Sequence, residues 1–329
     1  MDNLARQALF AAEVLHLIPT SDVKERSYLH GRIAGNSLLG AMELERVLHH
    51  REVRVYVGTW NMNGQAPPLE LNEIFLPDTI PHLPDILAIG TQESYPDKFE
   101  WEVNIQKTIG PSHVLFHSTA LGTLHLVIYI RRDLIWFCSD VTNNFDYVFW
   151  CGDLNFRLTN SRQDIMKWIN VHTFPLDLPI NQSFSDQLTE CLLNDVIFRG
   201  FQEGPIKFAP TYKYDPGTKT FDSSIKQRTP SYTDRILYKC GKSPILSSTS
   251  GLHCKSSHIE CITYCSVPSV CTSDHKPVWG LYKCVIRPGI DTMPLAAGLF
   301  NREVYLEAIK RRAASMNKRI GTSTVCTIQ

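Results

Sequence analysis

At 329 residues, with 43% hydrophobic side chains, the chain can bury one large core or two smaller ones. Lysine plus arginine (33) balances aspartate plus glutamate (33), so no global field draws in a polyanion and any basic patch must be local. No apolar run reaches the ~18 residues a membrane-spanning helix needs.

The N-terminal stretch MDNLARQALFAAEVLHLIP carries an early acid and no long apolar core, which argues against a secretory signal. Its ten cysteines then read as reduced cytosolic thiols, most of them inside apolar stretches. Residues 1–50 show helical periodicity, as in SLLGAMELERVLHH, and form an N-terminal helical segment. From Arg54 the pattern changes to short apolar runs of strand length: 54–60, 85–90, 113–116, 124–130, 134–139 and YVFWCG near 147–152. Further runs follow at 206–214, 234–239 and 277–286, with helical patterns at 161–170 and 185–200. Many short strands and few helices predict an α/β fold, a two-layer β-sandwich flanked by helices, over residues 51–290.

Cys254, His258, Cys261, Cys265 and Cys271 crowd together without a C-x-x-C pair and with serine-rich flanks. The segment 240–271 therefore reads as a long irregular loop rather than a zinc site.

Polar residues recur where the apolar runs stop. Asn61 ends RVYVGTWN, Gln92 and Glu93 end DILAIGTQE, and Asp153 and Asn155 end YVFWCGDLN. SDHKPVWGLY runs the other way, with Asp274 and His275 leading into the strand. Alternate residues of a strand emerge on one face, so Asp153 and Asn155 can share a metal, a water or a phosphate. A plain Gly-Asp-Asn turn is the other reading. Strand ends on one rim of a sandwich converge, and the resulting acids, amides and histidine are hard oxygen and nitrogen donors suited to Mg²⁺. Such a set permits metal-assisted attack of water on a phosphate ester. A second, basic group contains Tyr212, Lys213, Lys226, Arg228 and Arg235. Lys213 and Arg228 flank strands that end near the same rim, where they can hold extra phosphates.

TWNMNGQ, IGTQE, WCGDLNFR, PTYKYD, RTPSYTDRIL and SDHKPV stand in the order found in inositol polyphosphate 5-phosphatases. The chain resembles that family over about residues 50–290, within the larger endonuclease/exonuclease/phosphatase superfamily. The resemblance implies Mg²⁺-dependent removal of the 5-phosphate from phosphoinositides such as PI(4,5)P2 and PI(3,4,5)P3. It implies Glu93 as chief metal ligand with Asn61 beside it. Asp153 would orient or deprotonate the attacking water, and Asn155 would steady the phosphate. His275 would contact the scissile phosphate, held by Asp234, with Asp274 near the metal. Tyr212, Lys213 and Arg228 would grip the neighbouring 4-phosphate. The flanking segments NSLLGAMELERVL and PLAAGLFNREVYLEAIKRR resemble members associated with the primary cilium and Golgi.

One departure stands out. The family pattern carries further core strands and a Ser-His-Phe/Leu motif between the segments resembling CSDV and FDYVFW, and here TNN alone joins them. A deletion near 141–142 would leave an incomplete sandwich with unpaired edges and low or no activity. The tail, 291–329, is basic and ends in CTIQ, a prenylation-type box that points to farnesylation of Cys326. One prenyl chain binds membranes only marginally, so Lys310, Arg311, Arg312, Lys318 and Arg319 would supply the second signal. The expected setting is cytoplasmic and membrane-associated, with phosphoinositide lipids and prenyl-binding carrier proteins as partners, and the chain a monomer. No nucleic-acid partner is expected, because a superfamily nuclease would want a basic face that a neutral chain does not advertise. A catalytically impaired, prenylated membrane-binding variant is the competing reading.

Overall fold

The structure, a computed structural model, describes residues 2–20, 41–138, 146–180, 184–194, 196–240 and 259–286. Two sheets form the two layers. The larger joins β1 (Glu52–Asn61), β2 (Ile86–Gln92), β3 (His113–Leu121), β4 (Leu124–Arg131), β8 (Ile259–Ser266) and β9 (Val278–Val285), in the order β3-β4-β2-β1-β9-β8. The smaller joins β5 (Tyr147–Asp153), β6 (Gln202–Glu203) and β7 (Asp234–Cys240), in the order β5-β7-β6.

β1 lies between a parallel β2 and an antiparallel β9, and its two faces are both covered. Val55 and Val57 face the small sheet, meeting Ile236, Tyr238 and Tyr282 in one cluster. Tyr56 and Trp60 face the other way, toward Phe75, Trp101 and Ile105. Two-sided burial explains why this segment reads as a continuous apolar run rather than an alternation. The outer cover includes α3 (Asn72–Phe75) and α4 (Lys98–Ile109), the latter capped by Asp97, whose side chain accepts from Glu100 N at 2.8 Å. The N-terminal α1 (Asp2–His16) packs on α4 through Glu13–Lys107 (2.7 Å) and His16–Glu102 (3.4 Å), while Leu48, just after α2 (Ala41–Val47), is buried in the inter-sheet core.

Five expectations change. Residues 134–139 do not form a strand: Arg132–Phe137 is a 3₁₀ turn. β4 is already paired on both sides, and the turn sends adjacent Leu134 and Ile135 into different clusters. Residues 206–214 form no strand and pair with other segments through isolated bridges such as Tyr212↔Ser231 and Tyr212↔His275. Pro210 cannot donate to a ladder there. Conversely, the segment read as a loop over 240–271 contains β8, which pairs with β9. Its cysteine- and serine-rich sequence hides a sheet-edge strand. The helical run at 185–200 shortens to α6 (Gln187–Leu193), capped by Asp186, and α5 (Arg162–Val171) matches its pattern closely. Finally, β5 is not a buried strand but an outer member of the small sheet, with Trp150 51% exposed. Residues 139–145, where the missing segment would have joined, and the whole tail with Cys326 lie outside the described residues.

Candidate active site

The C-terminal ends of β1, β2 and β5 meet at one rim. Asn61, buried at the end of β1, donates through Nδ2 to Glu93 Oε1 and to Asp153 Oδ2, both at 3.1 Å. Its Oδ1 accepts from Asn63 N at 2.9 Å. Glu93 follows β2 with φ +44° and is exposed toward solvent, with no cationic side chain bonded to it among the described residues. Parallel pairing of β1 and β2 sets Asn61 opposite Gln92, which brings Glu93 to the rim. Gln92, not among the candidate residues, also matters: its Oε1 accepts from Asp153 N at 3.3 Å and ties the two sheets together.

Asp153 and Asn155 do not share a face by strand alternation. β5 ends at Asp153, and Asn155 lies beyond it in a left-handed turn with φ +59°. Its backbone N–H donates to Asp153 Oδ1 at 3.0 Å, an Asx-type turn that holds the carboxylate. Of the two readings of this segment, the turn is the one observed. A turn is present, and the turn shapes the site. Arg157, missed in the sequence, donates to Asn155 Oδ1 at 2.7 Å and lies 4.4 Å over the Tyr212 ring. An arginine two residues past the asparagine was the available signal.

β7 begins directly opposite, with Asp153 paired to Asp234. Asp234 is fully buried and accepts from Thr211 Oγ1 (2.8 Å) and Thr233 Oγ1 (2.9 Å). It also holds His275 Nδ1 at 2.9 Å, which fixes the ring so that Nε2 lies 3.8 Å from Asp153 Oδ2. Burial disfavours the imidazolium, but Asp234 and then Asp153 outweigh it, so the His275 pKa is raised. Asp153 is also raised, first by burial and then by the nearby Asp234 carboxylate. Asp153, Asp234 and His275 each offer a ligand atom within 4.8 Å of the others. The His275 Nδ1 is committed to Asp234, however, so Asp153 and the free Glu93 are the carboxylates left to face a cation. A largely buried carboxylate with a raised pKa, joined through Asn61 to a second one without a cationic partner among the described residues, is the electrostatic setting a hard divalent ion relieves.

The basic group sits alongside. The Tyr212 ring lies against His275, tilted by 36° with centroids 4.4 Å apart. Lys213 Nζ pairs with Asp274 Oδ2 at 2.8 Å, which raises its pKa, and the lysine remains 30% exposed. Asp274 is thus engaged by Lys213 rather than left free for a metal. Arg228 is exposed, on a turn whose Asp222 accepts from Arg228 N (2.7 Å) and whose Asp222 N donates to Lys213 O (2.8 Å). Lys213 and Arg228 therefore ride on linked segments.

Comparison with known proteins follows the same outline. A family profile described as Endonuclease/Exonuclease/phosphatase family 2 matches residues 134–281. The phosphatidylinositol polyphosphate 5-phosphatase type IV of Rattus norvegicus is 36% identical over 412 aligned positions, 99% of this chain and 61% of the relative. The Homo sapiens protein of the same name is 36% identical, over 99% of this chain and 62% of its own length. The chain thus spans about three fifths of the length of these relatives. The aligned stretch also exceeds this chain's 329 residues, so the relatives carry residues within it that this chain lacks. Among solved structures, an inositol polyphosphate 5-phosphatase domain of a synaptojanin, in complex with inositol (1,4)-bisphosphate and calcium, superposes with TM-score 0.59 at 22% identity, over 84% of this chain and 97% of that one. A Cimex nitrophorin, a ferrous NO complex, gives TM-score 0.56 at 21% identity over 72% and 99% of the two chains. At these identities the likeness is one of fold, and the nitrophorin makes clear that the fold alone does not choose a chemistry.

Proposed function

The chain belongs to the inositol polyphosphate 5-phosphatase family, and from that premise we propose that it hydrolyses the 5-phosphate of phosphoinositides such as PI(4,5)P2 and PI(3,4,5)P3. One observation carries the reading: Asn61 bridges Glu93 and Asp153 at 3.1 Å each, with His275 Nε2 3.8 Å from the same Asp153 oxygen. Residues from four separated segments meet there.

A divalent cation such as Mg²⁺, held by Glu93 with Asp153 and Asn61 beside it, would neutralise phosphate charge. The chain's own groups do the rest. Asp153, its pKa raised by burial, is a better proton acceptor for a water than an ordinary carboxylate. His275, whose protonated form Asp234 favours, donates through Nε2 to a phosphate oxygen, while the Asp234 contact at Nδ1 fixes which nitrogen faces the substrate. Lys213 and Arg228 receive a neighbouring phosphate, Lys213 exchanging part of its bond to Asp274 for it. Farnesylation of Cys326 and the basic tail would keep the enzyme at cytosolic membrane faces, with the cilium and Golgi as the setting the flanking segments suggest.

A second reading is favoured by specific features. No Ser-His-Phe/Leu triplet is present in the chain, the small sheet has three strands among the described residues, and the relatives align over more residues than this chain has. These support a turnover well below that of relatives with a full-length domain. Phosphate release from PI(4,5)P2 vesicles, with Mg²⁺ and with chelator, tests both. Release that stops with chelator and falls on the order of 10²–10³-fold in Asp153→Asn is the expected result. Metal-dependent release unchanged in that variant would sink the site assignment, and absence of release would leave the membrane-binding reading.

A further inference from the structure

Lys276 follows His275 but takes no part in the site above. It is 1% exposed, and its Nζ donates to Val270 O at 2.7 Å and lies 4.5 Å over the Tyr214 ring. Thr218 O lies at 3.5 Å. No carboxylate is within ion-pair distance of it among the described residues. Burial disfavours the ammonium and lowers the Lys276 pKa, and the group that opposes this is the Cys271 thiol, 3.1 Å from Nζ. Cys271 is half-buried, and its other polar neighbours are the carbonyls of Ser269 (3.3 Å) and Pro268 (3.9 Å). A half-buried sulfur 3.1 Å from a buried amine, which can take the thiol proton and hold the sulfur as an ion pair, is a setting in which a cysteine becomes nucleophilic. Four other cysteines are driven toward the neutral thiol by burial. Burial pushes Cys151 and Cys261 up to about 11 and Cys284 up to about 12, and raises Cys265 too.

The pair also occupies a mechanically useful place. Cys271 O accepts from Gly217 N at 2.6 Å, Lys276 N donates to Thr211 O at 2.9 Å, and Tyr214 N donates to Asp274 O at 2.9 Å. Between Cys271 and Lys276 lie Asp274 and His275. We propose that Cys271 is an oxidation site, activated by Lys276 toward hydroperoxides, and that its sulfenic acid displaces the segment carrying Asp274 and His275. In the step, the thiolate sulfur attacks one oxygen of hydrogen peroxide, and the S–O bond forms as the O–O bond breaks. Sulfur is oxidised by two electrons and the peroxide reduced. The departing hydroxide takes a proton from Lys276 Nζ and leaves as water, and the lysine regains its proton from solvent. The added oxygen has to fit between Lys276 and the two carbonyls, which breaks the Nζ–Sγ contact.

The site itself is independent of the hydrolase reading, whereas the effect on turnover rests on it, so the test has two arms. The full chain is titrated with hydrogen peroxide, sulfenic acid is trapped with a dimedone-type probe, and all ten cysteines are followed by peptide mass spectrometry. Cys271 is expected to label roughly tenfold faster than Cys151, Cys261, Cys265 and Cys284, and to lose that lead in Lys276→Gln. Lys276→Met serves as a second variant, and a thermal melt of each screens out unfolding. Equal labelling across the wild-type cysteines, or a Cys271 rate unchanged in a folded Lys276 variant, overturns the site. In the second arm, phosphate release should fall several-fold on oxidation, recover with a thiol reductant, and resist peroxide in Cys271→Ser. Full activity in protein labelled at Cys271 overturns the displacement. A chain that releases no phosphate even when reduced defeats the hydrolase reading, while the labelling still decides the site.

Discussion

The two sheets place their halves of the site on unlike foundations. Asn61 and Glu93 extend from β1 and β2, central strands of a sheet whose β1 is buried almost throughout. Asp153 extends from β5, half-buried along most of its length and paired, among the described residues, to β7 alone. The small sheet compensates with polar anchoring. Arg235, on β7 next to Asp234, is wholly buried between Asp186 (2.9 Å) and Glu203 (2.6 Å), and Tyr264 donates to the same glutamate at 2.9 Å. One half of the rim is thus held by apolar packing, which is non-directional, and the other by directed charge and hydrogen bonds, where a single loss leaves an unpaired partner.

The sharpest way to break that contrast is to remove the anchor. Arg235→Ala strands two buried carboxylates and should cost about 3–5 kcal/mol, read as a lower denaturant midpoint, with β5 and β7 losing hydrogen-exchange protection before β1 and β2. Uniform loss of protection across both sheets would show that they unfold as one unit and erase the distinction.

A smaller effect comes from pH, because the two halves titrate in opposite directions. On the large-sheet side, Glu102 is raised by burial, but bonds from His125, His16 and Ser118 outweigh it, and its pKa is lowered well below the usual range. That stability is present above the ordinary ~4.3 of a glutamate and fades as pH falls toward the lowered folded value. Where β5 and β7 meet His275, which leads into β9 of the large sheet but is held by Asp234, both shifts are upward. The contribution of His275 is whole below its ordinary ~6.5 and is lost as pH rises through the raised folded value. Asp153, also raised, likewise loses stability as pH climbs from ~3.9 through its folded value. In chelator, exchange protection of β5 and β7 should therefore decline from pH 5 toward 8 while α1 and α4 hold theirs. Added Mg²⁺ should flatten the decline, and parallel profiles in both regions would refute the assignment.

The smallest effect separates two tryptophans. Trp101 is 2% exposed under the large sheet, whereas Trp150 is 51% exposed on β5 and touches Phe198 edge-on at 5.5 Å. Trp150→Gln should change stability by no more than about 0.5 kcal/mol and leave phosphate release intact, as measured by melting and turnover together. A larger loss would mean that this outer face is covered in solution.

Much of this was legible in the chain itself. Apolar runs located β1, β2, β4, β5, β7 and β9, and the polar residues at their ends named Asn61, Glu93, Asp153 and His275, while Asp234 came from the family resemblance. Local pattern suffices there because a buried strand must be apolar and a strand end at a cleft need not be. Where local pattern and local structure part company, reading failed: β8 is edge-paired and cysteine-rich, residues 206–214 are apolar but hold a proline, and the apolar run from Leu134 falls within a 3₁₀ turn over 132–137.

What the chain determined alone was which residue types wait at which strand ends. Only the folded arrangement decided their pairings. It spends Asp274 on Lys213, sets Gln92 under Asp153, lays Arg157 over Tyr212 and gives Lys276 a thiol for company. These contacts join residues whose order along the chain carries no distance information, because sheet register and loop closure, not spacing, bring them within a hydrogen bond of each other.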